Sequence, residues 1–147
     1  MIMRNNISTL KILLVDDEDD LLKTLKELLQ TYSHKIITAT NGFEAFEKVC
    51  NDSNIDLIIS DYNMPHLTGS QLNQHLYQSG HEIPFILMTG QLGSIPKKEI
   101  DAMKAYAFLE KPCKLASLLR HIDDISKLKK SYFVEGQHDF KLDKLIR

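Results

Sequence analysis

The stretch Asp56-Leu57-Ile58-Ile59-Ser60-Asp61-Tyr62-Asn63-Met64-Pro65 decides how this chain folds. Residues 57–59 are branched and apolar, the mark of a short buried strand. Asp61 stands where that strand reaches the surface, and Met64-Pro65 turns the chain away. A carboxylate in that place is either a strand-ending polar residue or a reactive group held on a rigid scaffold. Nothing within the stretch separates the two, so the rest of the chain must.

Upstream, Ile12-Leu13-Leu14-Val15 is a continuous apolar run that breaks into Asp16-Asp17-Glu18-Asp19-Asp20. Leu21, Leu22, Leu25, Leu28 and Leu29 then recur at helical spacing. Glu18, Asp19 and Asp20 suit a first helical turn, where the helix dipole favours negative charge. Asp16 and Asp17 precede that turn and are left at a strand end. Residues 34–39 make a second strand around Ile36-Ile37. Asn41-Gly42 leads into a helix whose apolar side is read as Phe43, Phe46, Val49 and Cys50. Residues 55–60 form the opening strand.

Downstream, Leu67-Thr68-Gly69-Ser70 opens a third helix with Leu72 and Leu76, closed near Ser79-Gly80. Residues 84–88 are a fourth apolar strand, followed by Thr89-Gly90. Ser94-Ile95-Pro96 reads as a helix start, with a weak apolar face of Ile100, Ala102 and Met103. Ala107-Phe108-Leu109 is a fifth strand, and Lys111-Pro112 follows it. Leu115, Leu118, Leu119, Ile122, Ile125 and Leu128 mark a last amphipathic helix.

The order is βαβαβαβαβα. Near-continuous apolar strands alternating with helices predict an α/β domain, a parallel sheet covered by helices on both faces. Residues 1–10 read as an N-terminal extension, 11–130 as the domain, and 131–147 as a C-terminal tail, a short helix or a truncated linker.

A chain of 147 residues, 43% hydrophobic and 26% charged, is long enough for one real core. A net charge of −2 gives no basic field for nucleic acid. No apolar run approaches the roughly 20 residues of a membrane span, and residues 1–10 lack the apolar core of a secretion signal. Direct nucleic-acid and membrane partners are therefore not expected, and the cytoplasm is the expected compartment. Cys50 and Cys113 make no disulfide framework. The histidines show no paired metal-ligand spacing and read as surface residues, as do Asn73, Gln74 and Gln78. Cys50 is expected to pack within its helix.

In an open parallel sheet the carboxyl ends of the strands share one edge, where ligands bind. That edge collects Asp16 and Asp17, Asp61, Thr89 and Lys111. Two carboxylates about 4 Å apart repel by on the order of 4 kcal/mol at an effective dielectric near 20. Such a site raises carboxylate pKa values or recruits cations. A hard divalent ion with oxygen ligands fits, magnesium first and manganese as the alternative. A metal and a lysine beside a carboxylate suit a phosphoryl group, with the carboxylate as nucleophile and Thr89 as a hydrogen-bond donor.

Asp16-Asp17, the stretch 56–65 with Gly69, Met88-Thr89-Gly90 and Phe108-Leu109-Glu110-Lys111-Pro112 together resemble a response-regulator receiver domain, over roughly residues 11–127. The resemblance implies a single-domain (βα)5 flavodoxin-like fold with sheet order 2-1-3-4-5. It implies that Asp61 is the phosphoacceptor, fed by a sensor histidine kinase or a histidine phosphotransfer protein. Asp17 would bind magnesium directly, Asp16 partly through water, and Asn63 through its backbone carbonyl. Lys111 would pair with the phosphoryl oxygen, Thr89 would be the switch hydroxyl and Phe108 the switch aromatic. Asn63 and Gln91 would tune the phosphoryl lifetime, and as neutral amides they imply one of ordinary receiver length. Cys113 stands where the family often has phenylalanine.

The protein so read is a signalling switch with magnesium-dependent self-phosphorylation and self-dephosphorylation. Its output would be a protein–protein contact through helix 4, strand 5 and helix 5, including a phosphorylation-dependent dimer. Alternatives stay open: a receiver fragment of a longer regulator or hybrid kinase, or a constitutive receiver-like binding module. An enzyme of another doubly wound family is a third. The acidic first loop disfavours a flavin phosphate, and Asn63 stands where an aspartate-based phosphatase usually has its second acid.

Overall fold

The computed structural model describes residues 8–134. Five strands, β1 (Lys11–Val15), β2 (Lys35–Ala39), β3 (Leu57–Asp61), β4 (Phe85–Thr89) and β5 (Ala107–Glu110), form one parallel sheet in the order β2-β1-β3-β4-β5. Five helices alternate with them: α1 (Asp19–Thr31), α2 (Gly42–Asn51), α3 (Gly69–Gln78), α4 (Lys97–Ala102) and α5 (Leu115–Val134). A single 3-10 turn, Leu92–Ser94, precedes α4.

The apolar runs are continuous because each strand is buried on both faces, and side chains alternate between them. Leu13, Val15, Ile58, Phe85 and Leu87 point into the core shared with α2, α3 and α4. Ile12, Leu14, Leu57, Ile59, Ile86 and Met88 point into the core shared with α1 and α5. The central strand β3 is buried along its whole length.

Local signals set the helix ends. The Asn41 side chain accepts a hydrogen bond from Glu44 N at 2.8 Å and caps α2. Thr68 and Gln71 form a reciprocal capping box on α3. Gly80, at φ 82°, takes the left-handed conformation that follows the end of α3.

Several sequence expectations need correction. Phe43 is 63% exposed, and α2 instead buries Gly42, Ala45 and Val49, with Phe46 half-buried. Cys50 is exposed, its sulfur 3.7 Å from His81 Nε2. His34 is buried, because its Nδ1 accepts the Leu10 N–H at 3.1 Å. Asn73 is buried too, exchanging two hydrogen bonds of 2.9 Å with the Lys104 backbone. Helix α4 buries none of its own residues and is anchored by Ile95 and Met103 on either side. Leu115 is exposed rather than part of the α5 core face.

Both edges of the expected domain also shift. Leu10 is fully buried, and Ser126 Oγ donates to the Ser8 carbonyl, so residues 8–10 belong to the packed body. Helix α5 runs to Val134, past 130. The remainder of the expected tail, 135–147, lies outside the described residues. No helix among the described residues is long and apolar enough to cross a membrane.

Candidate functional site

Strand register assembles the site. Val15 lies beside Ser60, Asp61 beside Met88 and Thr89 beside Glu110. Asp16 follows β1 directly, its N–H held by the Ala39 carbonyl at 3.1 Å. Lys111 follows β5, its N–H donating to the Thr89 carbonyl at 2.7 Å. The backbone alone therefore brings Asp16, Asp61, Thr89 and Lys111 to one edge.

The side chains then converge. Lys111 Nζ lies 3.1 Å from Asp16 Oδ2 and 3.1 Å from Asp61 Oδ1. The other Asp16 oxygen accepts the Glu18 N–H at 2.9 Å, so Asp16 both orders the entry to α1 and orients the lysine. Asp17 is exposed, but it offers a carboxylate oxygen to a set in which Asp16, Asp17 and Asp61 all lie within 4.8 Å of one another. Two of these three carboxylates share one ammonium, the third adds its charge beside them, and negative charge is left over.

Burial pushes the Asp61 carboxyl above the usual carboxylate range. Lys111 pulls the other way, while Asp16 and Asp17 add to the rise. The direction agrees with the sequence reading, but loss of water around Asp61 is the larger cause, ahead of its acidic neighbours. Burial disfavours the charge on Lys111, yet Asp16 and Asp61 outweigh it and hold the ammonium above its ordinary value. Such a donor set, hard oxygens with uncompensated negative charge, fits a divalent cation of the magnesium type.

The remaining expected residues lie around this centre. Asn63, Thr89 and Gln91 line an adjoining cleft of about 430 Å³. Thr89 is buried, its hydroxyl accepting the Gln91 N–H at 3.3 Å. The Gln91 side chain accepts a hydrogen bond from Ser94 Oγ at 2.9 Å. Phe108 sits one strand away, paired in register with Leu87 and half-buried against the α4 side of the core. Gly69 has a structural reason: a Cβ there would run into the Asp61 carbonyl and come within 2.7 Å of Leu87. Its N–H donates to the Tyr62 carbonyl at 2.9 Å, so α3 starts against the backbone of the site.

One contact had no sequence signal. The Tyr62 hydroxyl donates to Glu99 Oε1 at 3.0 Å, joining the residue after Asp61 to α4. The partners are 37 positions apart, and neither belongs to a pattern that pairs them.

The doubly wound sheet and its acidic edge define a receiver-type α/β domain. The family model for the response regulator receiver domain matches residues 12–123, and the chain belongs to that family. The transcriptional regulatory protein GlrR of Escherichia coli is 36% identical over 118 residues, 77% of this chain and 25% of that protein. The phosphoglycerate transport system transcriptional regulatory protein PgtA of Salmonella typhimurium is 33% identical over 86% of this chain and 30% of its own length. The chain thus spans about a quarter to a third of these two relatives. Among solved structures, the chemotaxis protein CheY4 of Vibrio cholerae is 30% identical, with a TM-score of 0.72, covering 80% of this chain and 99% of that one. The response regulator TrrA of Thermotoga maritima, solved in complex with Mg2+ and BeF, is 29% identical with a TM-score of 0.71, over 80% and 99% of the two chains.

Proposed function

We propose that this domain is the phosphoacceptor of a two-component or phosphorelay pathway and that Asp61 takes the phosphoryl group. The observation that carries the reading is the shared lysine: Asp16 and Asp61 both pair with Lys111, Asp17 adds a third carboxylate beside them, and Asp61 is buried at the end of the central strand. A carboxylate oxygen of Asp61 forms the new bond to phosphorus, the bond to the donor nitrogen or oxygen breaks, and the leaving group takes up a proton. Lys111 neutralises phosphoryl oxygens, and Thr89 donates to one of them.

Asp16, Asp17 and Asp61, with the backbone carbonyl of Asn63, would hold Mg2+ (or Mn2+). When bound, the ion supplies positive charge against the phosphoryl oxygens. The donor is a sensor histidine kinase or a histidine phosphotransfer protein, and the compartment is the cytoplasm. Asn63 and Gln91 border the cleft through which water reaches the phosphoryl group. The output is a change at the face formed by α4, β5 and α5, with Thr89 and Phe108 as its relay, read by a protein partner or a second copy of the chain. The phosphoryl group favours the active arrangement through contacts made only there. Residues 11–130, with residues 8–10 packed onto them, form the working unit.

A second reading concerns context. The partial coverage of GlrR and PgtA favours this domain as the receiver piece of a longer regulator. Incubation with acetyl phosphate tests the acceptor reading. Intact mass should rise by one phosphoryl group with Mg2+, and not with a chelator or in Asp61→Asn. Equal incorporation in Asp61→Asn would overturn it.

A further inference from the structure

Tyr62 is fixed by its backbone: its N–H donates to the Met88 carbonyl at 2.8 Å, and its carbonyl accepts the Gly69 N–H at 2.9 Å. The ring therefore moves with the strand that carries Asp61. Its hydroxyl reaches across to Glu99 in the first turn of α4.

Helix α4 is otherwise held by apolar packing alone, with Ile100 half-buried against the core and Ile95 and Met103 buried on either side. None of its six residues is buried. Among the described residues, no other α4 side chain makes a hydrogen bond or ion pair. Past its end, Asn73 clamps Lys104 and fixes where the chain leaves the helix.

The loop before α4 is tied to itself and to the ends of β4 and β5. Gln91 N–H donates to Thr89, Ser94 Oγ donates to Gln91, and Leu92 N–H donates to Glu110 Oε1 at 3.1 Å. This loop forms one wall of the 430 Å³ cleft; Tyr62 and Asn63 form the other. The Tyr62–Glu99 bond joins the Tyr62 wall to α4, the helix that follows the loop.

We propose that Tyr62 and Glu99 act as a positioning pair, a staple that fixes α4 against the reactive end of β3 and keeps the cleft narrow, slowing loss of the phosphoryl group to water. The staple rests on the reading of Asp61 as acceptor. In the step it slows, a water oxygen bonds to phosphorus and the bond from phosphorus to the Asp61 oxygen breaks. The carboxylate is regenerated, and the water's proton leaves with inorganic phosphate or to solvent. The same bond ties the state of Asp61 to the placement of α4.

The test uses the full chain as wild type, Tyr62→Phe, Glu99→Ala, the double variant, and Glu99→Gln, which keeps an acceptor oxygen. Each is loaded with acetyl phosphate and Mg2+, the donor is removed, and decay is followed by intact mass. A part-buried bond to a charged acceptor implies a lifetime about three- to tenfold shorter in either single variant. The double variant should decay no faster than the singles, and Glu99→Gln should approach wild type. Amide exchange in α4 of the unphosphorylated protein should quicken by a similar factor in Tyr62→Phe. Unchanged lifetimes, additive effects or unchanged α4 exchange each overturn the staple. If wild type takes up no phosphoryl group, the acceptor reading fails and the lifetime claim with it. The exchange measurement then still decides whether the pair holds α4.

Discussion

Two aspartates flank the central strand, Asp56 just before β3 and Asp61 at its end, and their surroundings are opposite. Asp56 accepts the Lys11 N–H and the Lys129 ammonium on the same oxygen, both at 2.8 Å. The Lys11 ammonium in turn pairs with Asp52. Among the described residues, two aspartates meet two lysines there. At the other end Asp16 and Asp61 share Lys111, and Asp17 adds a third carboxylate to the same cluster. A carboxylate with its own cation fastens strand to helix; one with charge left over attracts a cation and something to react with. On the proposed reading of Asp61 as acceptor, what sets it apart from Asp56 is the neighbours' count of charge, since both sit beside the same apolar run.

The largest effect that would break this contrast is in chemistry. Asp61→Asn should abolish phosphoryl incorporation, while Asp56→Asn should leave it intact; intact-mass spectra of both variants after exposure to acetyl phosphate and Mg2+ decide. Loss of incorporation in Asp56→Asn would erase the distinction.

Magnesium comes next. An ion bound only by the folded state stabilises it by about 2.7 kcal/mol at a hundredfold excess over its dissociation constant. Thermal midpoints with and without Mg2+ should show this gain in wild type and in Asp56→Ala, and most of it should vanish in Asp17→Asn.

Metal-free stability sharpens the comparison through its sign. Asp56→Ala leaves the Lys11 N–H and Lys129 without that acceptor and should lower stability by about 1–3 kcal/mol. Asp61→Asn should raise it at neutral pH. The folded Asp61 pKa lies above its unfolded value, so the folded state keeps the proton longer and wild-type stability falls as pH rises between the two. The advantage of Asn is full above the raised value and disappears below the ordinary carboxylate range. Urea titrations across that range measure it.

The smallest effect belongs to His34, at the same edge as Asp56. Burial holds its imidazole below the ordinary value, with Asp123 pulling back, and the Leu10 N–H needs an unprotonated Nδ1. The unfolded chain therefore takes up the proton first. His34's contribution is full above the ordinary imidazole value and is lost as pH falls toward the lowered folded one. The stability gap between wild type and His34→Gln should narrow from about pH 7.5 to about pH 5. The pH dependence at this edge thus runs opposite to that of Asp61.

The sheet was readable because its signal is local. Runs such as Ile12-Leu13-Leu14-Val15 are apolar on both pleats, and Thr68–Gln71 and Gly80 mark helix ends within a few residues. The acidic edge followed from topology, since Asp16, Asp17, Asp61 and Lys111 are simply where the strands stop. What stayed hidden depends on partners distant in sequence. Asn73 looks like helix surface until Lys104 folds over it, 31 positions on. His34 looks exposed until Leu10 needs an acceptor. Phe43 and Val49 are both apolar helix residues, yet only Val49 faces the core. The pairing of Asp56 with Lys129 spans 73 positions, so the quiet end of β3 was as illegible as Tyr62–Glu99.

The most direct test is a peptide-resolved map of acid-labile phosphoryl groups after acetyl phosphate and Mg2+. The expected result is a single modified residue, Asp61, with Asp56, Asp16 and Asp17 unmodified and the signal gone when Mg2+ is chelated. Folded, magnesium-bound protein with no modification, or with modification at another carboxylate, would contradict it.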